Sequence, residues 1–368
     1  MKVRSFFRHR LIGASLAFFA VVVLAFVVWS GGLRPAVAQL GISTEIKSLD
    51  GVERHAFLQR HFAEPTRIAI GGRVGLLADR IEYAVTEAGA AVGPDGWQIL
   101  DDAPGWRFSG EVELGAGRSV LFVRSSGARG IRTLVPTEIL VGDLYVVAGQ
   151  SNAAGAARTF FSSRSAAVRV AEIRDGQIIR WRSCADPQVR NGGGSVWPLV
   201  GDALVEKTGI PMGFVNCAVG ATSIDDWQPG EAAFEVLISV LRKLGPQGIR
   251  AVLWHQGEAD HGMTADEYSE KLAAVILGTR ERVGWNMPWV VAQTSLDNLK
   301  TSPAVRSGQA MVWAKGLALR GPDTDVLDEA FREPDRVHFD ANGTRAAAGL
   351  WVDRLFEIFY SNGDTSEG

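Results

Sequence analysis

From Val141 onward the sequence alternates short apolar runs with longer amphipathic stretches, a rhythm that restricts the chain to few architectures. The apolar runs are Asp143 to Ala148, Met212 to Ala218, Arg250 to His255, Pro288 to Thr294 and Asp323 to Leu327. Between and after them, Trp197 to Lys207, Ala232 to Leu244, Ala265 to Val283, Val305 to Leu319 and Ala341 to Phe359 read as helices. Repeated β–α units of this length predict an α/β fold, a doubly wound parallel sheet flanked by helices. Such sheets place their ligand sites beyond the carboxyl ends of the strands.

The preceding part has a different rhythm. Between Gly41 and Pro136, Arg67 to Ile70, Arg80 to Val85 and Ser119 to Arg124 alternate as half-buried strands separated by glycine-rich turns. The one helical candidate is Ala56 to Phe62. This pattern predicts a small β-sandwich-like domain ahead of the α/β part. Before it, Lys2, Arg4, Arg8 and Arg10 precede an uncharged apolar run from Leu11 to Trp29, and Ala36-Val37-Ala38 follows. That order fits a cleaved export signal or a membrane anchor formed by residues 11–29. Both put the rest of the chain outside the cytoplasm, periplasmic or secreted, with membrane contact through this segment only. The expected division is therefore 1–38 as signal or anchor, 39–137 as the β-rich domain and 138–368 as the catalytic domain.

Composition excludes some functions. A formal net charge of −3 and scattered basic residues give no electrostatic footprint for nucleic acid. Two cysteines, Cys184 and Cys217, are too few for a disulfide framework; a buried thiol at Cys217 and a Cys184–Cys217 bridge both remain open.

Polar motifs follow the apolar runs. Gly149-Gln150-Ser151-Asn152 comes directly after Leu144 to Ala148, where a serine can present its hydroxyl to a carbonyl or simply cap a helix. Gln256-Gly257-Glu258-Ala259-Asp260 follows the run ending near His255; Gln256 offers an amide donor, Glu258 and Asp260 acceptors. A metal site built from His255, Glu258, Asp260 and His261 lacks the His-x-x-x-His helical spacing, and neither metal nor cofactor is expected. Asp335 stands three residues before His338, the spacing for a base and its orienting carboxylate. Gly220, after Met212 to Ala218, lets backbone approach a ligand and offer its N–H, or simply makes a turn. Asn152, Ser195 and Trp227 are the expected substrate-pocket residues, and Trp197 lies in the same region; aromatic faces suit sugar rings, though each tryptophan equally suits a core.

Together, Gly-Gln-Ser-Asn, Gly220-Ala-Thr-Ser, Gln256-Gly-Glu-x-Asp260 and Asp335-x-x-His338 resemble the sialate O-acetylesterase-like branch of the SGNH hydrolases, which includes acetyl xylan esterases. The resemblance spans about Val141 to Phe359 and implies a flavodoxin-like SGNH fold. It also implies a serine esterase in which Ser151 attacks an acetyl ester, His338 takes the proton and Asp335 orients His338. The implied oxyanion donors are the N–H groups of Ser151 and Gly220 and the side chain of Gln256. Glu258 is the rival acid to Asp335. Two positions depart from the pattern: Gln256 stands where the wider superfamily has asparagine, and Ala153 where this branch often has methionine. The expected substrate is an acetylated carbohydrate. The rival readings are an exopolysaccharide acetyltransferase and a catalytically silent carbohydrate-binding protein. Oligomeric state is not legible in the sequence.

Overall fold

The computed structural model describes residues 43–361 except 53–55, 62–63, 128–129, 134–135, 191 and 247. The export-type segment at 1–38 lies outside them. Among the described residues no helix is long and apolar enough to cross a membrane.

The chain opens with β1 (Ile46–Asp50), β2 (Ala56–Gln59), β3 (Thr66–Val74), β4 (Ala78–Glu87), β5 (Gln98–Asp101), β6 (Arg107–Leu114), β7 (Gly117–Gly127) and β8 (Arg132–Thr133). Strands β1, β3 and β6 form one antiparallel sheet. Its inner residues Ile70, Phe108 and Val112 share a buried core with Ile81 of β4 and Leu121 of β7. Within the helical candidate at Ala56 to Phe62, residues 56–59 instead form β2, and Phe62 lies outside the described residues. The four residues of β2 pair in parallel with Ile139 to Gly142, and Phe57 is buried in a core that includes Trp181.

Strand β9 (Thr137–Gly149) joins the two parts. Its first residues pair antiparallel with β7, and its later ones lie parallel between two strands of the central sheet. The remaining elements are α1 (Ser151–Ala154), β10 (Val168–Arg174), β11 (Gln177–Ser183), α2 (Trp197–Thr208), β12 (Met212–Asn216), α3 (Ala232–Leu244), β13 (Ala251–His255), α4 (Ala265–Val283), β14 (Trp289–Gln293), α5 (Pro303–Ala314), β15 (Leu319–Asp323) and α6 (Ala341–Phe359). The central order is β11-β10-β12-β9-β13-β14-β15, parallel except for edge strand β11. Leaving out the β10–β11 hairpin, the order is the flavodoxin-like 2-1-3-4-5.

Alternate residues of β9 enter opposite cores, as strand geometry requires. Leu144, Val146 and Ala148 pack with Phe234, Leu237 and Leu272 of α3 and α4, whereas Tyr145 and Val147 pack with Trp197, Leu204 and Trp351 of α2 and α6. Both cysteines are buried free thiols, and burial pushes Cys217 up to about 12.

Two sequence expectations shift. The last strand is Leu319–Asp323 rather than Asp323 to Leu327, and α5 ends at Ala314 rather than Leu319 because Gly316 turns left-handed at φ 67°. The β10–β11 hairpin turns on Asp175-Gly176, both at positive φ, and was absent from the sequence expectation.

Candidate active site

Three carboxyl-terminal strand ends converge where the chain reverses its direction across the sheet, between β9 and its neighbours. Gly149 ends β9 at φ 126°, and a Cβ there would sit 2.1 Å from the His255 carbonyl oxygen of β13. Only glycine fits, and the turn it permits delivers Ser151 to the start of α1. The first intrahelical-type bond comes from Ala153 N–H to Gln150 O, so the N–H groups of Ser151 and Asn152 precede it. Gln150, not Ser151, occupies the cap position, and its side chain makes no cap bond.

Ser151 Oγ lies 2.8 Å from His338 Nε2, and His338 Nδ1 lies 2.8 Å from Asp335 Oδ2. Asp335 Oδ1 also accepts the N–H groups of Val337 and His338, each at 3.0 Å. Partial burial pushes the Asp335 carboxyl up, but these N–H groups and the imidazole outweigh it and hold the group below its ordinary value. An anionic orienter at Nδ1 leaves Nε2 as the acceptor facing the serine hydroxyl, the arrangement nucleophilic catalysis requires.

Gly220 opens the turn after β12 beside Ser151; a Cβ on it would lie 4.0 Å from Ser151 Cβ. The turn is tied down by Val219 N–H donating to Gly149 O at 2.9 Å. Asp260 braces its far end, accepting from Ile224 N–H at 3.2 Å.

Gln256 does not face the reacting groups. It is fully buried, and its Nε2 donates among Gln150 Oε1 at 3.2 Å, Thr222 O at 3.4 Å and Asp260 Oδ2, while Tyr268 Oη donates to its Oε1 at 2.9 Å. Both amide protons are committed to the scaffold, which removes Gln256 as an oxyanion donor. Gln150, quoted in the first motif but given no role, lines the cavity instead. Its Oε1 accepts from Gln256 Nε2, Gly257 N–H and Ala259 N–H. That triple acceptance fixes the amide's orientation and leaves Nε2, without a protein partner among the described residues, for an occupant of the cavity.

Glu258 is likewise not the orienting acid. Its Oε1 accepts from Asn152 Nδ2 at 2.8 Å, and its Oε2 is buried without a partner among the described residues. Burial pushes this carboxyl up to about 7, against the opposing Asn152 hydrogen bond. Burial and the Arg332 charge lower nearby His255 to about 3, so it is neutral. The raised Glu258 carboxyl has a stability signature. The folded state holds a proton that the unfolded chain has lost, so stability falls as pH rises from about 4.5 to about 7. Glu258→Gln abolishes that decline, and the variant should gain up to about 3 kcal/mol on the wild type across this window in denaturant titrations. Parallel pH curves for the two proteins would refute the assignment.

The cavity at the site measures about 940 Å³. Besides Gln150, Ser151, Gly220 and His338, its wall includes Arg158, Phe160, Arg190, Gly192, Gly193 and Asp297. The three expected pocket residues are elsewhere. Asn152 is buried and bonded to Glu258, Val337 and Phe339. Ser195 is buried against Asp186, its hydroxyl donating at 2.7 Å. Trp227 is fully buried, edge-on to Trp254 at 5.2 Å, with its Nε1 donating to Thr222 Oγ1. Trp197 is core as well, donating to Ala153 O. Arg158, Phe160 and Arg190 went unassigned in the sequence because they lie in loops without periodicity. The glycine run at 192–194 was their only local signal, a place where backbones meet closely.

A flavodoxin-like sheet carrying a serine, histidine and aspartate in hydrogen-bonded sequence at its switch point has the architecture of a serine hydrolase. The chain belongs to the carbohydrate esterase, sialic acid-specific acetylesterase family, whose profile matches residues 141–355. A probable carbohydrate esterase from Arabidopsis thaliana is 25% identical over 234 residues, covering 53% of this chain and 88% of that protein. A carbohydrate acetylesterase from Xanthomonas citri shares the fold, with a TM-score of 0.54 and 17% identity, over 86% of this chain and 76% of that one. The structure of an Arabidopsis thaliana protein matches with a TM-score of 0.47 and 17% identity, over 59% of this chain and 99% of that one.

Proposed function

We propose that this protein is an extracytoplasmic esterase that removes O-acetyl groups from an acidic carbohydrate of the sialate type through an acyl-enzyme. The carrying observation is the pair of 2.8 Å contacts, Ser151 to His338 and His338 to Asp335, at a cavity large enough for a sugar. Ser151 Oγ attacks the acetyl carbonyl as its proton passes to His338 Nε2, and Asp335 stabilises the imidazolium. The sugar hydroxyl leaves with that proton. Water, deprotonated by His338, then releases acetate and restores Ser151.

The oxyanion is held by the N–H groups of Ser151 and Gly220, with Gln150 Nε2 in the place first given to Gln256. Gln150→Glu keeps the acceptor oxygen its three donors need and replaces the amide donor with a carboxylate oxygen, whose charge opposes the oxyanion. It should lower kcat about a hundredfold or more. Retention of a tenth of the wild-type kcat would remove Gln150 from the machinery.

Arg190, and Arg158 with its 3.4 Å partner Glu333, line the cavity and favour a carboxylated sugar, and exposed Phe160 in the same lining offers an apolar face to its ring. The basic and apolar N-terminal segment supports export, with residues 39–137 and 138–368 as the β-rich and esterase domains. The test is acetate release from acetylated sialic acid, acetylated xylan and an acetylated bacterial exopolysaccharide, with Ser151→Ala as control. Acetylated sialic acid should be cleaved fastest. Faster cleavage of neutral xylan would sink the acidic-sugar assignment, and acetylated polysaccharide accumulating in place of free acetate would mark a transferase.

A further inference from the structure

We propose that Asn152 and Glu258 are a positioning pair that sets His338 against Ser151, so that the residue after the nucleophile aligns the base. The inference rests on the Ser151–His338 reading above. Asn152 Oδ1 accepts from Phe339 N–H at 3.3 Å, and its Nδ2 donates to Val337 O at 3.3 Å. Val337 and Phe339 flank His338, so a single amide grips the chain immediately before and immediately after the base.

An amide can serve that N–H and that carbonyl in one orientation only. Glu258 enforces it. Its Oε1 accepts from the same Nδ2 at 2.8 Å, a contact that the flipped amide would replace with two opposed oxygens. Glu258 makes no bond to His338 and so acts at one remove from the chemistry. Its second oxygen is buried without a partner among the described residues. A carboxyl kept at that desolvation cost, where an apolar side chain would pack more favourably, is explained by the orientation it imposes. Arg332 reinforces the same loop, its Nη1 donating to Val337 O at 2.8 Å.

The grip has a mechanical consequence. Asn152 rides on α1 with Ser151, so a displacement of the nucleophile's turn carries the backbone of the base with it. Asp335 governs the ring of His338, and Asn152 governs the position of its main chain. Between them the Oγ to Nε2 separation is held from both ends.

The test uses the full chain and steady-state acetate release, with folding checked by circular dichroism. Asn152→Ala should lower kcat about a hundredfold, the loss typical of a small misplacement of reacting groups, with KM within about threefold of the wild type. Glu258→Leu, which leaves Asn152 in place, should lower kcat at least tenfold. Glu258→Gln should return it to within about fivefold, because a glutamine oxygen can still accept from Nδ2. Either a folded Asn152→Ala or a folded Glu258→Leu with kcat within about threefold of the wild type overturns the pair. Ser151→Ala separates the two levels. If it is inactive while Asn152→Ala is fully active, the pair alone fails; if it retains acetate release, the underlying reading fails too.

Discussion

Ser151→Ala should lower acetate release more than a thousandfold while leaving the melting temperature within a few degrees of the wild type. In the proposed mechanism the Ser151 hydroxyl forms the acyl bond, and its structural obligations are few: the cap of α1 is Gln150, and among the described residues Oγ bonds only to His338. Activity is therefore separable from folding at this position. The variant should also escape labelling by a fluorophosphonate that modifies the wild type at Ser151. A variant retaining more than about a thousandth of the wild-type rate would mean that another group attacks the ester.

The opposite separation is expected at Asp143. It lies on β9 six residues before Gly149, about 20 Å from the reacting end of the strand. Its carboxylate is fully buried and accepts from Arg60 Nε at 3.0 Å and Nη2 at 3.2 Å, from Gln59 Nε2 at 3.1 Å and from Tyr360 Oη at 2.7 Å. Asp143→Ala withdraws the one acceptor shared by these donors from β2, the segment after it and the end of α6. Breaking a buried pair in this way typically costs about 3–5 kcal/mol. Urea unfolding should register that loss, while kcat per folded molecule stays at the wild-type value. A loss below about 1 kcal/mol would show the network to be dispensable.

The sequence shows helices more sharply than strands here, for identifiable reasons. The limits of α3, α4 and α6 are legible to the residue. Thr264 and Glu267 form a reciprocal cap on α4, Asp340 caps α6, and Gly245 and Gly284 follow α3 and α4. Strand β15 misleads because Gly321-Pro322 looks like a turn. Proline is tolerated there because β15 pairs only with β14 and its other edge needs no donor. The hairpin of β10 and β11 carries its signal in Asp175-Gly176, a two-residue turn flanked by short strands of mixed polarity.

At the site, Asp335 and His338 are legible because their contact is local, three residues apart. Gln256 and Gln150 are not separable in the same way. Both end adjacent parallel strands in polar motifs, and which of them reaches the cavity depends on how the two strand ends turn after Gly149 meets His255. Trp227 and Ser195 fail for a simpler reason. A tryptophan near a predicted pocket and one in the core have the same sequence, and only packing tells them apart.

Strand β9 bears on how such a chain can be recombined. Many two-part enzymes are joined by a tether that can be cut and spliced without disturbing either side. Here the junction is itself a strand, hydrogen-bonded to β7 and β2 at its start and to β12 and β13 at its end, with Ser151 two residues beyond. No splice point between 137 and 151 leaves both sheets whole. Exchanging the N-terminal module between relatives would have to carry β2 and the whole of β9 along with it, so the piece that moves already contains the run leading to Ser151.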